Sequence, residues 1–387
     1  MEPKFKNDIF EQDISIEEFD HITDGVEDHV FSDRYQSRKE TIMNNAKHKA
    51  KISKLGVKVV AAASVIAIAA PFAVNAATGG EFFNRIWGNE GKDSIESHTE
   101  VIVEDGKIRD DGTPVTNEVV MPGIEYVEAD PEAAARLIGD RFTSEPVTCT
   151  VGDTTITVES VVRDGIGIVA AYTIEREGSV NCLNYSQLDN ESKGAWLSED
   201  TNILFGFEEG TGKIWVDLER STDNKLYCYE YMCDNSVLFG TAGFAPITDH
   251  ITLMTQEFTM NRSEIYLEEK GDIQQFIREE NNYVIPVADK LDTKMFYSSE
   301  NGSVEISPIA MVWDSTGGTE IKGETISPET TLKITYADGS EYLVLDENTS
   351  SVGYLCGTDT GFIVLFNRLV DTDNIAKITI NGVDYFA

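Results

Sequence analysis

Beyond residue 77 the chain offers only two histidines, His98 and His250. A His-rich metal site or a Ser-His-Asp triad is hard to assemble from so few. No G-x-S-x-G, Walker A or H-E-x-x-H motif occurs. Carboxylates number 68, so two lying close together says nothing about glycosidase chemistry, which also needs a sugar cleft. The run Asp371-Thr372-Asp373-Asn374 holds the oxygen ligands that Ca2+ takes, but the remaining EF-hand positions are missing, and it reads first as a solvated turn. No catalytic, cofactor-binding or metal-ligating residue is therefore assigned, and the chain is expected not to be an enzyme.

Aromatic side chains are the other candidates. Trp196, Trp215, Tyr227, Tyr229, Tyr231 and Trp313 suit either a ligand platform or a β core with cross-strand pairs. The 227, 229, 231 spacing places three tyrosines on one strand face. Five cysteines, Cys149, Cys182, Cys228, Cys233 and Cys356, are too few for a stapled scaffold. They read as buried free thiols, with a Cys228–Cys233 bridge open if the two sit on adjacent strands.

The elements that would carry these residues differ along the chain. Val59–Val74 is a charge-free run, and residues 55–77 would form a helix of ~34 Å, enough for one bilayer core. Seven bases and one acid fill residues 38–58 just before it, which places the N-terminus in the cytoplasm. Lys58 can snorkel to the headgroups. Phe82, Phe83 and Trp87, with Ile86, form one helical face at interface depth or belong to the exterior core. A cleavable signal peptide is disfavoured by the 58 residues that precede the run.

Residues 1–54 read as a partly disordered cytoplasmic segment with two short helices. Ser15 with Glu18 fits a capping box, and Ile14, Ile16, Phe19 and Ile22 follow a helical stripe. The second begins near Ser32, with Tyr35, Ile42 and Ala46 on one side, and ends in the basic run. Neither helix has enough apolar surface to fold alone. The segment is either a topogenic tail or a helix pair that docks on a soluble partner through Ile16, Phe19, Ile22, Phe31, Tyr35 and Ile42.

Residues 78–121 are acidic and broken by Gly and Pro, as expected of a stalk. Pro131–Ile138 is a short helix stopped by Gly139. Alternation then predicts strands at 154–162 and 166–174 around Asp164-Gly165, and near 202–207, 214–218, 226–232 and 251–258. Further strands are expected at 283–287, 294–297, 303–313, 331–336, 341–345, 362–366 and 376–380. Asp338-Gly339 and Asn381-Gly382 are hairpin dipeptides. A helix or an extended connector is expected over 272–280. The fold class is mainly β: two β-sandwich-like units, 122–275 and 276–387, divided somewhere in 265–290. The net charge of −37 argues against a nucleic-acid partner.

Three stretches carry a resemblance: Ala70 through Gly88 (APFAVNAATGGEFFNRIWG), Gly152 to Tyr172 together with Leu183 to Asp189, and Asp373 to Tyr385. They resemble single-pass membrane proteins of Gram-positive anaerobes that hold a domain of unknown function outside the membrane and often end in an immunoglobulin-like domain. Some relatives are similar to anti-sigma factors. The resemblance implies a cytoplasmic tail that binds a sigma factor, a membrane anchor in the bilayer, and an extracytoplasmic β portion that senses an envelope ligand. No Cys precedes residue 149, so the zinc-binding anti-sigma type is excluded and a tail module would be zinc-free. The competing expectation is a cell-surface protein that recognises a glycan or protein through its β domains.

Overall fold

A computed structural model describes residues 94–387 except 109–113, 128–130, 144, 186–193, 219, 241–243, 268–272, 300–301 and 316–328. The chain divides into two compact units, Met1–Ile66 and Ala67–Ala387, and every described residue belongs to the second. The expected cytoplasmic helices and membrane helix lie outside the described residues. So do Ile16, Phe19, Ile22, Phe31, Tyr35, Ile42, Lys58, Phe82, Phe83 and Trp87. Among the described residues no helix is long and apolar enough to cross a membrane.

The described chain is mainly β. Within the expected stalk lies an antiparallel hairpin, β1 (His98–Ile108) with β2 (Pro114–Met121). Helix α1 (Pro131–Leu137) follows and stops at Gly139, whose φ of 63° suits glycine. The first sandwich comprises β3 (Val147–Val151), β4 (Thr154–Arg163), β5 (Gly167–Arg176), β6 (Leu183–Tyr185), β7 (Ala195–Leu197) and β8 (Ile203–Phe207). It continues with β9 (Gly210–Val216), β10 (Lys225–Asp234), β11 (His250–Phe258) and β12 (Ile277–Pro286). One sheet has the order β3-β4-β5-β10-β9-β7-β6, the other β12-β11-β8. Ile156, Val158, Tyr172, Met232, Phe205 and Leu253 fill the core between them. Each such fully buried side chain contributes ~1.5–3 kcal/mol.

The second sandwich comprises β13 (Lys294–Tyr297), β14 (Ser303–Ile306), β15 (Ala310–Asp314), β16 (Leu332–Tyr336) and β17 (Glu341–Asp346). It ends with β18 (Thr349–Ser350), β19 (Val352–Gly357), β20 (Gly361–Phe366), β21 (Ile375–Ile380) and β22 (Val383–Tyr385). Its sheets, β13-β14-β15-β20-β19 and β18-β17-β16-β21-β22, enclose Phe296, Ile306, Ile334, Val344, Phe362 and Ile378. Asn381 and Gly382, both at positive φ (49° and 80°), close the last hairpin as the Asn-Gly pair predicts.

Three details depart from simple alternation. Strict period two puts Ser160 on the face of Ile156 and Val158. Pairing between β4 and β5 slips at Glu159, where Val158 faces Tyr172 and Ser160 faces Ala171. This bulge turns Val161 into the first core and Val162 to the opposite face. The run expected as one strand over 303–313 is two, because Pro308 cannot donate to a ladder. Ser307 closes the turn there: its N–H donates to the Ala310 carbonyl, and its Oγ accepts from the Ile309 and Ala310 amides. Finally, the expected division assigns 277–286 to the second unit, yet β12 pairs along its whole length with β11, from His250↔Pro286 to Phe258↔Ile277. Ile285 is buried in the first core with Tyr283 packed against it, so the first sandwich extends to Pro286. Within the expected 272–280 segment, Ile273–Phe276 is a 3-10 turn leading straight into that strand.

Candidate functional site

The two sandwiches meet along a third apolar layer. Strand β5 sends Ile168, Ala170 and Tyr172 into the first core and Val169 and Ala171 the other way. Strand β20 divides likewise: Phe362, Val364 and Phe366 face the second core, Ile363 and Leu365 the first sandwich. The seam between them buries Tyr229, Tyr231, Trp215, Leu291, Ile309, Ala134 and Leu137 of α1, and Ile138 just after it. Strands buried on both faces lose their polar side, which is why Gly167–Ile174 and Gly361–Phe366 read as nearly continuous apolar runs.

The tyrosine strand is the centre of this seam. Trp215 pairs in register with Tyr229, and its indole N–H donates to the Gly353 carbonyl across the seam at 2.9 Å. The Tyr229 hydroxyl donates to Asp217 Oδ2 at 3.0 Å. Burial pushes the Tyr126, Tyr229 and Tyr231 phenols well above the usual range, and Asp217 adds to this for Tyr229. They stay neutral and do no proton chemistry near pH 7. The cavity that Tyr126, Trp215, Tyr229, Tyr231, Val352, Gly353 and Asn367 enclose measures about 10 Å3, the lower limit for a single water.

The six aromatics singled out in the sequence are thus not one platform. Trp215, Tyr229 and Tyr231 are seam. Trp313 belongs to the second sandwich, where its N–H donates to the Tyr385 hydroxyl at 2.8 Å and its ring lies 5.0 Å from Phe362. Trp196 is 42% exposed, and Tyr227 is half-buried. The Arg220 guanidinium lies over the Tyr227 ring at 4.0 Å, a cation–π contact.

Sequence reasoning missed a buried polar latch beside the seam. Asp164 (2% exposed) sits in the β4–β5 turn. Its Oδ1 accepts from the Ile166 and Gly167 amides at 2.5 and 2.6 Å, and Oδ2 accepts the Ser307 hydroxyl of the second sandwich. Burial raises its pKa to about 6 against those three hydrogen bonds, and Glu305 adds to the rise. The neighbouring Arg163 donates to the carbonyls of Ala288, Ile247 and Thr248; burial lowers its pKa. The connector 287–293 is pinned in turn. Leu291 N–H donates to Arg163 O, Arg141 pairs with Asp292 at 2.7 Å, and Thr293 donates to Glu305. Asp164-Gly165 was legible only as a turn; a charge with a partner 143 residues away leaves no local pattern.

The lead-in segment before α1 is also fastened to the second sandwich. Gly123 N–H donates to Asn348 O, Glu125 N–H to Ser351 Oγ, and Asn367 and Arg368 donate to Glu125 O. Ile95 and Ile124 form a bridge, and Tyr126 N–H donates to Ser94 Oγ.

The Asp371–Asn374 run is a 3-10 turn whose carboxylates already hold cations. Arg136 of α1 reaches Asp371 and Asp373 at 2.7 and 2.8 Å, and Lys294 reaches Asp373 at 2.7 Å. Lys294 and then Arg136 hold the Asp373 carboxyl below its ordinary range. Among the described residues no group of three or more His, Cys, Asp or Glu side chains is arranged to hold a metal. Exposed pairs of this kind contribute little. Arg136→Ala is expected to cost about 1 kcal/mol or less in urea unfolding, with a midpoint indifferent to added Ca2+. A Ca2+-dependent rise would reinstate the metal reading.

All five cysteines are free thiols. Cys228 and Cys233 lie on one strand and face different cores, so they cannot bridge to each other.

No family model matches the chain, and no curated protein matches it. A solved structure, described as the crystal structure of the conserved domain protein from Bacillus anthracis, is similar over 62% of this chain and 76% of its own, at 13% identity and a TM-score of 0.33.

Proposed function

We propose that the chain is a non-enzymatic single-pass membrane regulator of the anti-sigma-factor-like kind. In this reading residues 55–77 anchor it, residues 1–54 hold a cytoplasmic sigma factor, and the paired sandwiches, the last of them immunoglobulin-like, sense an envelope signal. The observation that carries the reading is the layout in sequence: a tail with two short apolar stripes at helical spacing, a basic flank, a charge-free run, then a long portion rich in strand signals. The fold is compatible with that layout, since the described residues after the charge-free run are mainly β. The test is a pull-down from source lysate with residues 1–54 as bait. Specific recovery of a sigma factor is expected; nothing above a scrambled-sequence control would reduce the tail to a topology signal.

A second reading, a surface protein that binds a glycan or protein, draws on Trp196, 42% exposed on the seven-stranded sheet, with Tyr227 half-buried beneath Arg220. Binding of the full chain to a glycan array, lost in Trp196→Ala, would favour it over the first.

A further inference from the structure

Two cysteines face each other across the seam. Cys233 closes the alternating face of β10 that begins with Tyr229 and Tyr231, and Cys356 lies near the end of β19 in the other sandwich. Two close approaches set the spacing of these strands. A Cβ added at Gly353 would lie 2.5 Å from the Tyr231 ring, two residues before Cys233. A Cβ added at Gly167, the register partner of Cys233, would lie 3.0 Å from Leu365. Leu365 in turn pairs with Tyr354 on β19. Backbones held this near bring the two thiols close enough to perturb each other.

The partners are unequal. Cys233 is fully buried, whereas Cys356 is half-buried with its thiol toward the Gly357 carbonyl at 3.5 Å. The other close pair, Cys182 and Cys228, lies inside the first core with neither sulfur exposed.

We propose that Cys233 and Cys356 are a disulfide site that locks the two sandwiches together when a disulfide oxidant is present. The Cys356 thiolate attacks one sulfur of a small-molecule disulfide and expels one thiolate. Cys233, deprotonated in the second step, attacks Cys356 Sγ and expels the other. Two thiols become one S–S bond; the two electrons and two protons leave on two equivalents of reduced thiol. The contact with Cys233 holds the Cys356 thiol below its usual range, as an attacking group requires. Burial raises Cys233 well above its own, which makes it the slower, resolving partner. The closed ring spans roughly 120 residues, a length at which a cross-link restricts the unfolded chain strongly.

This inference does not depend on the sigma-factor reading. The full chain is equilibrated with oxidised and reduced glutathione at graded ratios, alkylated, digested and mapped by mass spectrometry. Thermal unfolding is followed on the same samples. A linked Cys233–Cys356 peptide is expected, with a midpoint raised by roughly 5 °C or more. Cys356→Ser should lose both signals while Cys182→Ser keeps them. A link mapped to Cys182–Cys228, dimers joined through Cys356, or a glutathione adduct that never resolves would each overturn the proposal, as would a link without a change in midpoint.

Discussion

Gly353→Val is expected to unfold in two transitions where the natural chain unfolds in one, with the first roughly 6–12 °C lower. A Cβ at this position would meet the Tyr231 ring at 2.5 Å. That ring is 3% exposed and sits between both sandwiches, so it has nowhere to go. The backbone at 353 also carries the carbonyl that receives the Trp215 N–H. Overpacking at a closed contact costs about 3 kcal/mol, and here the whole cost falls on the seam that makes the two sandwiches one cooperative body. Gly206→Ala is the control, since a Cβ there meets nothing within 4 Å. Scanning calorimetry decides the matter: a single transition at the natural midpoint in Gly353→Val would show that the seam carries little.

The second large effect is a pH dependence traced to Asp164. Its carboxyl titrates near 6 in the fold against an ordinary 3.8, so the folded chain holds this proton more tightly than the unfolded one. The stabilisation is complete below pH 3.8 and is lost as the pH rises through 6. It amounts to about 3 kcal/mol for a shift of this size. Asp164→Asn keeps an acceptor for the Ile166 and Gly167 amides but cannot titrate. The stability of the natural chain relative to this variant, from urea midpoints, should therefore rise as the pH falls from 7 to 4. The difference cancels the other 67 carboxylates, which both chains share. A difference that stays flat over that range would place Asp164 in contact with solvent rather than in a closed latch.

Local pattern revealed most of the strands. The hairpin around Asp164-Gly165, the turn at Asn381-Gly382 and the helix stopped by Gly139 follow from period two, turn chemistry and capping. The local β1–β2 hairpin inside the expected stalk escaped, and the rest of what escaped was long-range. One extra residue at Glu159 reverses the face of everything after it in β4, and nothing in Thr154–Arg163 marks where the slip occurs. The membership of Ile277–Pro286 depends on pairing with β11, which lies beyond a short helix, Arg262–Leu267, and the 3-10 turn Ile273–Phe276. The seam had a visible signal in Gly167–Ile174 and Gly361–Phe366, where neither face is polar, since a strand of an ordinary two-sheet sandwich keeps one wet side. The latch had none, because Ser307 differs from any other serine only through its partner. The residues expected to bind a partner, Ile16 to Ile42, and those expected at the membrane interface, Lys58 to Trp87, lie outside the described residues.

The fastening of residues 94–126 has a mechanical consequence. A pull applied to the chain at Ser94 first meets the Ile95–Ile124 pair and the Tyr126–Ser94 contact, then the β1–β2 ladder from its His98↔Met121 end, which unzip pair by pair under tension. The load then passes to Gly123 and Glu125, gripped by Asn348, Ser351, Asn367 and Arg368, before it reaches any strand of the seven-stranded sheet. These contacts are a weak fuse in series with a strong one. Modest traction would free a short slack length and leave both cores whole, and only a larger force would tug on the second sandwich itself.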